Sequence, residues 1–101
     1  MKLVVEFDRD ADIIEVPESV VENREVLKKR FWKWISNKSI KHKYWTTFKD
    51  SYGRELQGLR YRSDAFVEWL NKKVLGKSEE KAFVVEEHVW DYSKDLPSIF
   101  F

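Results

Sequence analysis

The segment KLVVEFDRDADIIEVPESVVENREVLKKRFWKWIS, residues 2–36, changes its hydrophobic period partway along, and that change sets the fold class. From Lys2 to Asp8, residues Leu3, Val5 and Phe7 alternate with Val4, Glu6 and Asp8, the period of a half-buried strand. Arg9–Asp12 reads as a turn into a second short strand, Ile13–Val16, which Pro17 ends. Ser19 and Glu22 stand three apart, the spacing of a capping box, in which the hydroxyl and the carboxylate each accept an orphan backbone N–H. Val20, Leu27, Phe31, Trp34 and Ile35 then fall in one arc of a 3.6-residue period, which predicts a helix over 20–36.

Outward from that segment, Asn37–Lys43 lacks periodicity, is strongly basic and reads as a loop. Tyr44–Phe48 is aromatic and β-branched, and Asp50-Ser51-Tyr52-Gly53 is a turn signature with a glycine available for positive φ. Arg54–Tyr61 is the returning strand, with Gly58 interrupting its alternation as a bulge would. Ser63 and Asp64 suit an N-cap and first turn, and Phe66, Val67, Leu70 and Val74 give a buried face. With Lys72 and Lys73 favouring the C-terminal dipole and Gly76 as the stop, they predict a helix over 64–75. After the polar turn Lys77–Glu80, Ala82–Trp90 reads as a strand with Phe83, Val85 and Val89 on one face. Residues 91–101 read as an irregular tail.

The order β-β-α-β-β-α-β predicts an α+β fold, a mainly antiparallel sheet with two helices packed on one face, in a single domain spanning 1–101. The two strand-strand-helix units share no residue pattern at a fixed offset, so no repeat is assigned.

Composition agrees with a packed domain. Of 101 residues, 43% are hydrophobic and 16% aromatic, five of them tryptophan, which excludes intrinsic disorder. Without cysteine there is no disulfide framework, catalytic thiol or thiolate metal site. Three glycines and two prolines leave little material for phosphate-cradling loops. Acidic residues Glu6, Asp8 and Asp10 break any apolar leader, so a cytoplasmic location is expected, with no membrane partner. A chain of this size needs most of its rings inside. Phe7, Phe31, Trp34, Trp45, Phe48, Phe66 and Phe83 are expected in the core; Trp32, Trp69, Tyr52, Phe100 and Phe101 are the candidates for exposure.

The formal net charge of +1 conceals a segregation. Residues 1–23 sum to −5, 24–43 to +7, 44–78 to +3 and 79–101 to −4. On the wheel of the first helix Trp32 points away from the apolar arc, beside Lys28, Lys29 and Lys33. An exposed indole among lysines has the composition of a binding spot, the ring supplying area and stacking while the lysines supply attraction. Lys38, Lys41 and Lys43 extend the basic block, and Phe100 and Phe101 add apolar area at the end of the chain. Mutual neutralisation between the acidic ends and the basic middle is the other reading of the same profile.

Familiar chemistries are not found. Asp8, Asp10 and Asp12 have the spacing of the first calcium-loop ligands, but Ile13 stands where the loop needs Gly and Ser19 where it needs a bidentate Glu. His42 and His88 lack the partners of a zinc site. Glu86 and Glu87 are strand neighbours and face opposite ways. No nucleophile elbow, P-loop or dinucleotide fingerprint occurs. An enzymatic role, a cofactor, a metal and a small-molecule substrate are therefore not expected.

The run Trp45…Asp50-Ser51-Tyr52-Gly53-Arg54…Tyr61-Arg62-Ser63-Asp64-Ala65…Trp69-Leu70 is similar to the hairpin-plus-helix pattern of the small arm-binding DNA modules of tyrosine-recombinase integrases. That resemblance implies strands inserted into a major groove and covers about a quarter of the chain. Two functions are expected, the first from the absence of a catalytic constellation and the apolar groups left outside the core, the second with the support of this resemblance. The first is a non-enzymatic interaction module, an accessory factor or inhibitor of the kind a phage or mobile element encodes, which binds another protein or a second copy of itself. The second is nucleic-acid binding through the basic 24–43 segment and the 44–61 hairpin.

Overall fold

The computed structural model describes residues 1–101 and has an α+β fold. Strands β1 (Lys2–Glu6) and β2 (Ala11–Glu15) form an antiparallel hairpin in which Val4 faces Ile13. Its turn closes where Phe7 N–H donates to the Asp10 carbonyl at 2.8 Å, two residues earlier than the sequence predicts. Ala11 and Asp12 are thereby drawn into β2.

Helices α1 (Glu18–Glu22) and α2 (Arg24–Ile35) replace the single helix expected over 20–36. Pro17, with φ −62°, pre-sets the start two residues early, so Ser19 lies inside the first turn and the expected capping box does not form. The break falls at Asn23 (φ −107°, ψ 16°), whose side-chain amide donates to the Ser19 carbonyl at 2.8 Å.

Strands β3 (Trp45–Lys49) and β4 (Glu55–Leu59) pair antiparallel as a separate two-stranded ribbon instead of joining the main sheet. Gly53, at φ 77°, supplies the left-handed turn residue, and the Asp50 carboxylate accepts from the Tyr52 and Arg54 N–H groups at 2.9 Å. Register runs through Gly58 without the expected bulge. The glycine is there because the Phe48 ring lies across it, 2.8 Å from where a Cβ would stand.

Helix α3 (Ser63–Trp69) continues into a π-helical turn at Leu70–Val74, closed by Leu75 N–H on the Leu70 carbonyl at 2.7 Å. The Asn71 side chain exchanges two hydrogen bonds with the Ala82 backbone, and the Lys81 ammonium caps the Leu75 and Gly76 carbonyls. Strand β5 (Phe83–Val89) follows.

The tail is only partly irregular. Ser98–Phe100 forms β6, parallel to β1, held by Val4 N–H on Pro97 O at 2.9 Å and Phe101 N–H on Glu6 O at 3.0 Å. The sheet order is β5-β2-β1-β6, three strands antiparallel and the last parallel. Helices cover one face, where Leu3, Val5, Ile14 and Ile99 meet Phe31, Phe66, Trp69 and Leu70. Tyr92 and Leu96 of the segment before β6 cover Val4, Ala11 and Ile13 on the other face.

Besides Phe101, taken up below, three aromatic placements depart from expectation. Trp69, a candidate for exposure, is buried against Phe31 and Phe66. Phe48 is half-exposed because the ribbon stands apart from the sheet, and Phe83 is exposed because its cross-strand partner is Glu15, on the face away from the helices.

Candidate functional site

Helix α2 carries the basic face. Leu27, Phe31 and Ile35 point into the core, and each flank of that stripe meets a different neighbour. On one flank Arg30 lies over the Trp69 ring and Trp34 lies tilted against His42, with centroids 4.9 Å apart. On the other, Lys28 lies over the Phe101 ring at 5.7 Å, and Trp32 follows one turn later. Trp32 is 52% exposed, as its wheel position predicts. Together with Lys28, Lys29 and Lys33 it forms a concavity of about 340 Å³. The indole and the methylene stems make its walls while the ammonium groups reach outward. None of these three lysines is in an ion pair, and no acidic residue lines the concavity.

Lys38, Lys41 and Lys43 do not share that concavity. They lie in the loop before the ribbon, where Lys43 reaches to 4.0 Å from Glu68 and sits over the Tyr44 ring. His42 fixes this loop: its Nδ1 accepts from Tyr44 N–H at 3.2 Å, so its Nε2 carries the hydrogen and donates to the Ile35 carbonyl at 2.9 Å. The Tyr44 hydroxyl donates to Glu68. Burial, and then that carboxylate, raise the Tyr44 pKa, while the Tyr44 hydrogen bond, followed by Lys72, lowers that of Glu68.

The two terminal phenylalanines part company. Alternation along β6 sends Ile99 and Phe101 toward the helices and Phe100 out. Phe101 packs at 5.1 Å from Phe66 and 5.6 Å from Phe31 and is partly buried against the core, where the sequence suggested exposure; Phe100 stays 51% exposed.

A polar junction escapes the sequence reading. Asp12, fully buried, accepts from Arg62 Nη2 at 2.6 Å, Ser63 Oγ at 2.5 Å, Ser63 N–H at 3.2 Å and His88 N–H at 3.1 Å. Asp10 accepts from His88 Nδ1 and from the same Arg62, whose guanidinium lies 4.6 Å over the Phe7 ring. Burial pushes the Asp12 carboxyl up, but hydrogen bonds from Arg62 and Ser63 outweigh it and hold the pKa below 3.8. His88 and then Arg62 lower that of Asp10. His88 holds φ at 56° to make these contacts, a left-handed conformation a β-strand residue seldom adopts. The junction ties β2, α3 and β5 together, and Arg62 occupies the acidic pair that resembled a calcium loop. One signal was readable: Asp12 shares strand parity with Ile14 and Val16, so a carboxylate at that position faces the core.

Val85 and Trp90 are also exposed, Trp90 to 74%, and the sequence singles out neither as a surface residue. No group of three or more acidic or histidine side chains is arranged around a metal site, and no helix is long and apolar enough to cross a membrane.

These features define an α+β domain with a projecting β-ribbon and an aromatic–basic helix face. Comparison with protein families, curated proteins and solved structures finds no match to the chain.

Proposed function

We propose that this domain is a small protein-binding module, an accessory or inhibitory factor of the cytoplasm, that holds an acidic, apolar-bearing surface of another protein chain against Trp32. The observation that carries this reading is the concavity of Trp32, Lys28, Lys29 and Lys33, whose cations have no acidic partner within the molecule. An apolar side chain of the partner would enter between the stems while its carboxylates meet the ammonium rim, an arrangement that favours both burial and encounter. The test is anisotropy of a labelled Glu-rich peptide carrying one tryptophan, beside a Lys-rich peptide of the same length. Binding of the acidic peptide alone, lost in Trp32→Ala and in Lys29→Glu with Lys33→Glu, is the expected result. Equal binding by both variants would remove the site.

A second reading is nucleic-acid binding, supported by the projecting β3–β4 ribbon, which carries Lys49 and Arg54 and is flanked by Lys41, Lys43 and Arg60. A two-stranded ribbon suits the width of a major groove. Affinity for duplex should then fall steeply between ~50 mM and ~200 mM salt. Absence of binding at the lower salt ends this reading, and capture from lysate with and without nuclease separates the two.

A further inference from the structure

We infer that the partner seated on the Trp32 face is a second copy of this chain, bound head to tail through its β5 edge; this rests on the reading of Trp32 given above. The β5 region carries the complement of the Trp32 face. Phe83, 56% exposed, opens β5 close to Glu80, Val85 and Glu86 follow along the strand, and the exposed Trp90 lies past its far end next to Asp91; none of these three carboxylates is in an ion pair. Phe83 and Glu86 face Glu15 and Ile13 across the ladder, which sets both on the sheet face away from the helices. Phe83 also borders a concavity of about 400 Å³ shared with Glu15, Glu80, Val16 and Pro17. Its two cations are already engaged: the Lys81 ammonium holds the Leu75 and Gly76 carbonyls outside it, and the Met1 amine holds Val16 O and Glu15 within it. Glu80 is left uncompensated there.

The topology prevents one molecule from joining its own two surfaces. Lys28 lies over Phe101, which follows β6, while Phe83 opens β5, and these strands are the opposite edges of β5-β2-β1-β6. The contact is therefore between molecules and between unlike surfaces. Such a heterologous contact leaves each copy with one free face of each kind, so association continues past the dimer. A net charge of only +1 adds little long-range repulsion between copies.

Sedimentation of two surface variants tests this. Trp32→Glu removes one face and Phe83→Glu with Trp90→Glu removes the other, all at exposed positions, with circular dichroism checking that each remains folded. The wild-type mass should rise with concentration beyond that of a dimer. Each variant alone should associate ~10-fold or more weakly, as loss of a central aromatic contact implies. An equimolar mixture should form dimers and nothing larger, since only one pair of intact faces remains. A wild type that stays monomeric at high micromolar concentration overturns the inference. So does a Phe83→Glu, Trp90→Glu variant that still dimerises, because that outcome belongs to a symmetric Trp32–Trp32 contact. If the wild type is monomeric yet binds the acidic peptide, the Trp32 reading stands and only the second copy is excluded.

Discussion

Asp12 is the residue on which most depends. Its carboxylate satisfies donors from residues 51 and 76 positions away, and no neutral side chain of that size accepts all of them. Asp12→Asn turns one accepting oxygen into a donor facing Arg62 or Ser63. The expected loss is ~3 kcal/mol, at the low end for a broken buried ion pair because Asp10 still holds Arg62. Urea unfolding measures it. Asp50→Asn, which breaks an exposed Arg54 pair at the ribbon tip, should cost under ~1 kcal/mol in that assay. The acid side of the stability profile follows from the same carboxylates. Asp10 and Asp12 titrate below 3.8 in the folded chain, so their contribution is fully present above that value and is lost as pH falls through their lowered pKa values. Asp12→Asn should flatten this acid limb; an unchanged limb would assign it to other groups.

At the scale of elements, the ribbon and the main sheet should differ in local stability. β3 and β4 pack chiefly on each other, with Trp45 and Leu59 meeting the body at the base and Phe48, Leu56 and Tyr52 out in solvent. Their amides should exchange with deuterium far faster than those of β1 and β2, whose Leu3, Val4, Val5 and Ile14 are fully buried. Equal protection would mean that something covers the ribbon. Local pattern was enough to read β1, α2, β3, β4, α3 and β5, from apolar spacing in most of them and from aromatic and β-branched composition in β3. It could not reveal β6, since Ser98-Ile99-Phe100 is too short to show a period and is a strand only because β1 offers an open edge. Nor could it separate two sheets. Phe48 and Phe66 look alike in sequence, and only the detachment of the ribbon decides which is core. Trp32 was legible because a helix wheel gives direction, whereas Phe83 and Trp90 depend on which face the 90–97 segment covers, a fact of tertiary packing.

The whole molecule measures 46 × 33 × 20 Å, and part of the charge of its sequence blocks is paired across them, as where Arg62 holds Asp10 and Asp12. α2 presents lysines around Trp32, and β5 with its flanks presents carboxylates around Phe83. Contacts between such surfaces are made at the rim, where ions screen them within ~10 Å at 0.1 M salt. Binding of the acidic peptide should therefore weaken as salt rises toward ~1 M but persist in part, because the indole contact is apolar. Complete insensitivity to salt would leave the lysines without a role.

The pairing of β6 with β1 also constrains the order of events during synthesis. The first strand of the chain lies between β2 and a strand that begins at Ser98, and Asp12 waits for Ser63 and His88. A nascent chain halted before residue 83 has its first hairpin and its helices but lacks both outer strands and a donor for Asp12. Closure of the sheet thus waits on sequence-distant contacts, and translation, which adds ~5–20 residues per second, sets the earliest moment at which it can occur.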